Sequence, residues 1–145
     1  TFEAAAFLRR CGADITRVRK MFRDDMAFYQ AKAEAVRRAE VYRQEFAIAE
    51  CPSDIDSPTV LAAQAANELL DISGIKASFV LTVYEGKIYM SARSIDEVNV
   101  QIIAEKLGGG GHINSSGAQF DHTNVEEAIK ALKQTIDTMI EEGDI

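Results

Sequence analysis

Residues 75–94 read IKASFVLTVYEGKIYMSARS, and their reading decides the fold. Ile75, Ala77, Phe79, Leu81 and Val83 recur at every second position, which places them on one face of a strand. Glu85-Gly86 is a two-residue turn of the kind that closes a hairpin. Residues 87–94 alternate again, with Ile88, Met90 and Ala92 to one side and Tyr89, Ser91 and Arg93 to the other. A hairpin with one apolar face needs a further layer to cover it.

The flanking sequence supplies that layer. Upstream, residues 45–50 (EFAIAE) form a short apolar strand, and residues 51–58, with two prolines, two serines and two aspartates, form a loop. Ser57 stands as N-cap with Pro58 at the first helical position, and Val60, Leu61, Ala65, Leu69 and Leu70 mark a helix running to near Gly74. Downstream, residues 99–107 are helical, four glycines come next, and residues 118–120 make a last short strand. Residues 125–141 form a helix with Val125, Ala128, Ile129, Leu132, Ile136, Met139 and Ile140 on its buried side. At the other end, residues 1–10 are helical up to Gly12, and Asp14 caps the next helix. Ile15, Val18, Phe22, Met26, Tyr29, Ala33 and Val36 recur at steps of three and four, predicting one long amphipathic helix that ends near Tyr42. The class is mixed α/β, of the α+β kind: a small sheet with flanking helices, preceded by a long linker helix.

The 145 residues carry a net charge of −7. An acidic chain is a poor binder of long duplex nucleic acid, which needs clustered Lys and Arg, yet it can hold a small nucleotide in a local pocket. Cys11 and Cys51 are too few for a disulfide framework and fit a reducing, cytosolic compartment. No stretch is long and apolar enough to span a membrane, and the first residues lack the pattern of a signal peptide. The missing starting methionine makes the chain read as a piece of something longer.

The strongest chemical signal is Gly108-Gly109-Gly110-Gly111-His112, continued by Ile113-Asn114-Ser115-Ser116-Gly117. Four glycines in a row carry a high entropic cost, tolerated where a backbone turns oddly or approaches a ligand. Bare successive N–H groups suit a phosphate oxygen, and His112 can donate to the same anion. The same run also reads as a plain connector between helix and strand. It is neither a Walker A loop nor a dinucleotide fingerprint, because the Gly-Lys-Ser/Thr ending is missing and the glycines come after a helix. Arg93 can fork onto a phosphate or stack on a base, and its weight rises if it converges with His112. Asp121-His122 reads as a surface loop, and Asp24-Asp25 as adjacent helix positions pointing apart.

The run Ser91-Ala92-Arg93-Ser94, a helix, and then the glycine–histidine run through Ala118 resembles the DHHA1 domain, the C-terminal partner of the DHH phosphoesterase domain. Residues 1–42, with TFEAAAFLRRCGAD, resemble the end of a DHH domain and its linker, most like those of the membrane-bound cyclic di-AMP phosphodiesterases. The resemblance implies two units: residues 1–44 as the end of the DHH domain with linker helices, and residues 45–145 as the DHHA1 domain. It implies that the DHH domain of the full-length enzyme binds two manganese ions and activates water, while this chain holds the substrate and no metal. The candidate substrate-binding set is Ser91, Arg93, Gly108, Gly109, Gly110, Gly111, His112, Asn114 and Ser115, with no catalytic residue and no metal ligand. The family often has two alanines where this chain has Ser115 and Ser116.

The implied activity is hydrolysis of cyclic di-AMP to linear pApA by a cytoplasmic domain of a membrane-anchored protein. Related domains in oligoribonucleases, single-strand exonucleases and alanyl-tRNA synthetases keep two alternatives open: degradation of very short RNA, and a non-catalytic nucleic-acid-binding module. The implied partners are a cyclic dinucleotide or short oligonucleotide and the DHH domain; the exposed apolar helix face calls for a cover, either that domain or a second copy of the chain.

Overall fold

The central hairpin forms as its alternation predicts. In the computed structural model, which describes Thr1–Ile145, β3 (Ala77–Tyr84) pairs antiparallel with β4 (Lys87–Ser94). (The twelve elements in chain order are α1 Phe2–Arg10, α2 Ile15–Met21, α3 Met26–Arg37, β1 Glu40–Tyr42, β2 Phe46–Glu50, α4 Pro58–Leu69, β3, β4, α5 Val100–Lys106, β5 Gly110–His112, β6 Ser115–Phe120 and α6 Val125–Glu142.) Glu85 and Gly86 both have positive φ, at 50° and 76°, the mirror-image turn whose twist suits a hairpin.

The strands build one six-stranded sheet in the order β1-β2-β3-β4-β6-β5. Only β2 and β3 run parallel, joined by the crossover helix α4. One face of the sheet buries Phe79, Leu81, Met90 and Ala92 against Val100 and Ile103 of α5 and Leu132, Ile136 and Met139 of α6. Full burial of side chains such as Phe79 or Leu132 contributes roughly 1.5–3 kcal/mol each. The other face buries Ala47, Ala49 and Val80 against Leu61, Ala65, Ala66 and Leu69 of α4, with Ala35 of α3 behind them. Ser78 lies on this second face, and its buried hydroxyl donates to the Ala66 carbonyl at 2.6 Å.

That second helical layer stops short. α4 lies across β3 and β4 and α3 approaches β2, and Ser78, Val80 and Thr82 of β3 are fully buried. Beyond α4 the same face opens: Tyr89, Ser91 and Arg93 of β4 are half-buried at its edge, and Ser115 and Gln119 of β6 and His112 of β5 are exposed. This bare half-sheet positions the site.

Three expectations need correction. The single helix to Tyr42 divides into α2, α3 and the edge strand β1. It breaks because Asp25 takes the N-cap of α3, accepting the Phe28 N–H at 2.8 Å, while Asp24 pairs with Lys32 at 3.0 Å. Asp24 and Asp25 are therefore turn residues, not positions inside a helix. Next, β1 leaves the helical pattern because Arg43 and Gln44, both at positive φ, turn the chain back onto β2. Tyr42 and Arg43 then clamp β1 to Asp137 of α6, at 2.8 and 2.9 Å. Last, Ser57 stands at the N-cap of α4 but makes no side-chain cap bond; α4 ends at Leu69 and turns lead on to Gly74.

No residue of α1 or α2 is buried. Phe2, Met21 and Phe22 expose 92%, 80% and 81% of their surface. No helix is long and apolar enough to cross a membrane.

Candidate functional site

The glycine run is not a free loop. Its first residue ends α5: Gly108 sits at φ +83° and donates to the Glu105 carbonyl, and Gly109 donates to the Ala104 carbonyl at 2.8 Å. These two bonds make the Schellman pattern of a helix stop. The N–H groups of Gly108 and Gly109 are thereby committed within the chain, which corrects the expectation of four bare donors facing a phosphate. Gly110, Gly111 and His112 go on as β5, paired with β6. β6 begins at Ser115, earlier than the strand expected at 118–120.

Packing explains most of these glycines. A β-carbon on Gly109 would overlap the Gly117 carbonyl and Ala118. One on Gly111 (φ +147°) would lie 2.5 Å from the Ser116 Cα, and one on Gly117 2.8 Å from the Met90 carbonyl oxygen. Gly110 differs: its φ is ordinary, and an added β-carbon would meet nothing within 4 Å. The fold does not require glycine there.

Register places Arg93 and His112 on one face. Arg93 stands opposite Ser115, and Ser115 stands opposite His112. Cross-strand partners share a face, so Arg93, Ser115 and His112 form one row across β4, β6 and β5 on the bare half-sheet. Two inter-strand steps separate the outer members by about 10 Å. The next row holds Ser91, Gly117 and Gly110.

Arg93 has an unusual setting. It is half-buried, and its Nη1 donates to the Ala92 carbonyl at 2.8 Å. Burial lowers its pKa from the ordinary arginine value, and no carboxylate offsets that burial. A partly desolvated guanidinium without a counter-charge is suited to an incoming anion.

Ser116, outside the expected set, and Asn114, within it, both have hydrogen-bond partners inside the chain. The Ser116 hydroxyl is buried and donates to the Val100 carbonyl at 2.7 Å, on the α5 side of the sheet. Asn114 lies in the β5–β6 turn, where its side-chain amide donates to Asp96 at 3.2 Å and its carbonyl accepts from Ser94 at 3.3 Å. Asn114 ties the turn to the loop after β4. Ser91 and Ser115 do face the open half-sheet.

No three His, Cys, Asp or Glu side chains come together into a group that could hold a metal ion. The chain's own residues do not fit a manganese site. A groove of about 390 Å³ lies at the far end of the sheet between Glu34 of α3, Arg38 just after it, and Glu50 and Cys51, and no residue of the Arg93 row lines it.

Residues 44–138 match the DHHA1 domain. The chain belongs to the DHHA1 family. This DHHA1 chain is 41% identical over 138 residues to the cyclic-di-AMP phosphodiesterase PdeA of Listeria monocytogenes serotype 1/2a, covering 94% of this chain and 21% of that protein. It is also 41% identical over 144 residues to the cyclic-di-AMP phosphodiesterase GdpP of Geobacillus thermodenitrificans, covering 99% and 22%. The chain thus spans about a fifth of the length of these relatives. An exopolyphosphatase-related protein from Bacteroides fragilis shares the fold, with a TM-score of 0.83 at 22% identity over 95% of this chain and 43% of that one.

Proposed function

We propose that this DHHA1 chain is the substrate-holding part of a phosphodiesterase that hydrolyses cyclic di-AMP to linear pApA. The observation that carries the reading is Arg93: half-buried, without a carboxylate partner, and in one row with His112 on the bare half-sheet. The names of the relatives supply the substrate class. Arg93 would take one phosphate and His112 a second contact about 10 Å across the sheet, a span that suits a dinucleotide better than a single phosphate. The open row of Ser91, Gly117 and Gly110 lets the sugar–phosphate backbone lie close to the sheet.

On this reading the bond-breaking chemistry comes from a DHH domain elsewhere in the longer protein, using manganese there. The exposed apolar residues of α1 and α2 pack against that domain, while α3 packs on the sheet of this one and β1 joins it. The longer protein is membrane-anchored, with this part in the cytoplasm. The chain alone holds its ligand without hydrolysing it.

The experiment is a manganese-dependent turnover assay on the longer protein, with cyclic di-AMP and with linear pApA as competing substrates. Faster turnover of the cyclic substrate supports the reading. Faster turnover of the linear one assigns the protein to short-RNA degradation instead, and no turnover of either leaves only a binding module.

A further inference from the structure

The bare half-sheet continues past the phosphate rows. Tyr89 stands directly opposite Gln119, on the same face as Ser91 and Arg93 and one row beyond Ser91–Gly117. Successive rows on one face are about 6.8 Å apart along the strands. The face therefore carries three kinds of surface in order: the row Arg93–Ser115–His112, a row almost free of side chains, and a row with an aromatic ring beside a carboxamide.

We propose that Tyr89 and Gln119 form a base-recognition subsite that favours an adenine-type base; the proposal rests on the dinucleotide reading above. The Tyr89 ring packs against Tyr84 with centroids 6.0 Å apart and planes tilted by 60°. That contact steadies the ring, and a half-buried, steadied aromatic is a stacking platform for a base. The Gln119 side-chain amide donates to Asp121 at 3.1 Å, and Asp121 is held in turn by Lys87 at 3.4 Å. One amide N–H and the amide carbonyl of Gln119 remain. That donor and acceptor together match the N7 acceptor and N6 donor of adenine. A uracil lacks that major-groove pair; its acceptor and donor, O4 and N3–H, lie on the Watson–Crick edge, so it must sit differently on the Tyr89 ring to reach the same amide.

Gly110 fits the same arrangement. The fold does not require a glycine there, since an added β-carbon would meet no protein atom within 4 Å. A backbone passing from the phosphate row to the base row would cross that position, and a side chain would stand in its way.

Calorimetric titration of the 145-residue chain with pApA and with pUpU tests the subsite. The wild type should bind pApA more tightly. Gln119→Ala, an exposed change that spares the core, should erase that preference. Tyr89→Leu, which keeps an apolar strand residue but removes the ring, should weaken both ligands about tenfold, and Tyr89→Phe should keep wild-type affinity. If Gln119→Ala keeps the preference and Tyr89→Leu keeps full affinity while Arg93→Ala binds weakly, the subsite is overturned and the dinucleotide reading stands. Wild-type affinity in Arg93→Ala overturns both.

Discussion

Gly109 backs onto the Gly117 carbonyl so closely that a β-carbon at position 109 would overlap the oxygen. This contact lets β5 lie beside β6 and brings His112 level with Arg93. The neighbouring Gly110 has open space instead. Gly109→Ala should therefore destabilise the fold by about 1–3 kcal/mol, the usual cost of overpacking. Gly110→Ala should leave stability within about 0.5 kcal/mol of wild type and weaken dinucleotide binding. Urea denaturation of both variants, with a titration of Gly110→Ala, checks the contrast.

Arg93 should trade stability for binding. Its guanidinium is half-buried with no carboxylate beside it, so its charge works against folding in the free chain. Arg93→Met should raise the thermal midpoint or leave it unchanged, while lowering ligand affinity. A fall in the midpoint would mean that the arginine serves the fold.

The two thiols should differ sharply. Cys51 is 2% exposed, and burial pushes its pKa up to about 12, whereas Cys11 is exposed. At pH 8 a thiol reagent should modify Cys11 quickly and reach Cys51 only on unfolding. An unfolded Cys51 ionises near the ordinary thiol value and the folded one only near pH 12. Its contribution to stability is therefore full below the unfolded value and is lost as pH rises between the two. Denaturation midpoints of wild type and Cys51→Ala, compared from pH 8 upward, measure that slope.

On the acid side the clamp between β1 and α6 should open first. The Arg43 guanidinium and the Tyr42 hydroxyl hold the Asp137 carboxyl below the usual carboxylate range. A lowered folded pKa contributes stability above the unfolded value and loses it as pH falls through the folded one. Amides of β1 should therefore lose protection, relative to the intrinsic rate at each pH, as pH falls below about 4, and Asp137→Asn should show that lower protection already at neutral pH. The pair is exposed, so global stability should change little.

The parts of the fold legible in the sequence were those written in local chemistry. The hairpin showed itself because Phe79, Leu81, Met90 and Ala92 alternate and Glu85-Gly86 accepts positive φ. β1 was hidden because Arg43 and Gln44 carry no turn signature, and their positive φ is held by pairing with β2 and by the clamp to Asp137. The break before α3 did leave a signal: the aspartate at position 25 is a good N-cap, but the apolar steps of three and four run through it. β6 started earlier than expected because Ser115, Ser116 and Gly117 are weak strand formers; their strand depends on pairing with β4.

Within the site, Arg93 and His112 were legible as residue types and their convergence was not. It depends on β6 inserting between β4 and β5, a matter of strand order with no local trace. Gly108, Gly109 and Asn114 of the expected set also have duties inside the fold that the residue types do not announce: a helix stop, a close backbone contact and two side-chain hydrogen bonds of Asn114. Tyr89 and Gln119 stood outside the expected set because they become neighbours only through the β4–β6 register.

The central claim, that a dinucleotide lies across Arg93 and His112, is tested most directly by calorimetric titration of cyclic di-AMP and pApA into wild type, Arg93→Ala and His112→Ala. Loss of the charge-assisted bond should weaken binding about 10- to 100-fold in Arg93→Ala, and loss of the histidine about 3- to 10-fold, with all three proteins folded. Equal affinity in the three proteins would contradict the account and place the ligand elsewhere on the molecule.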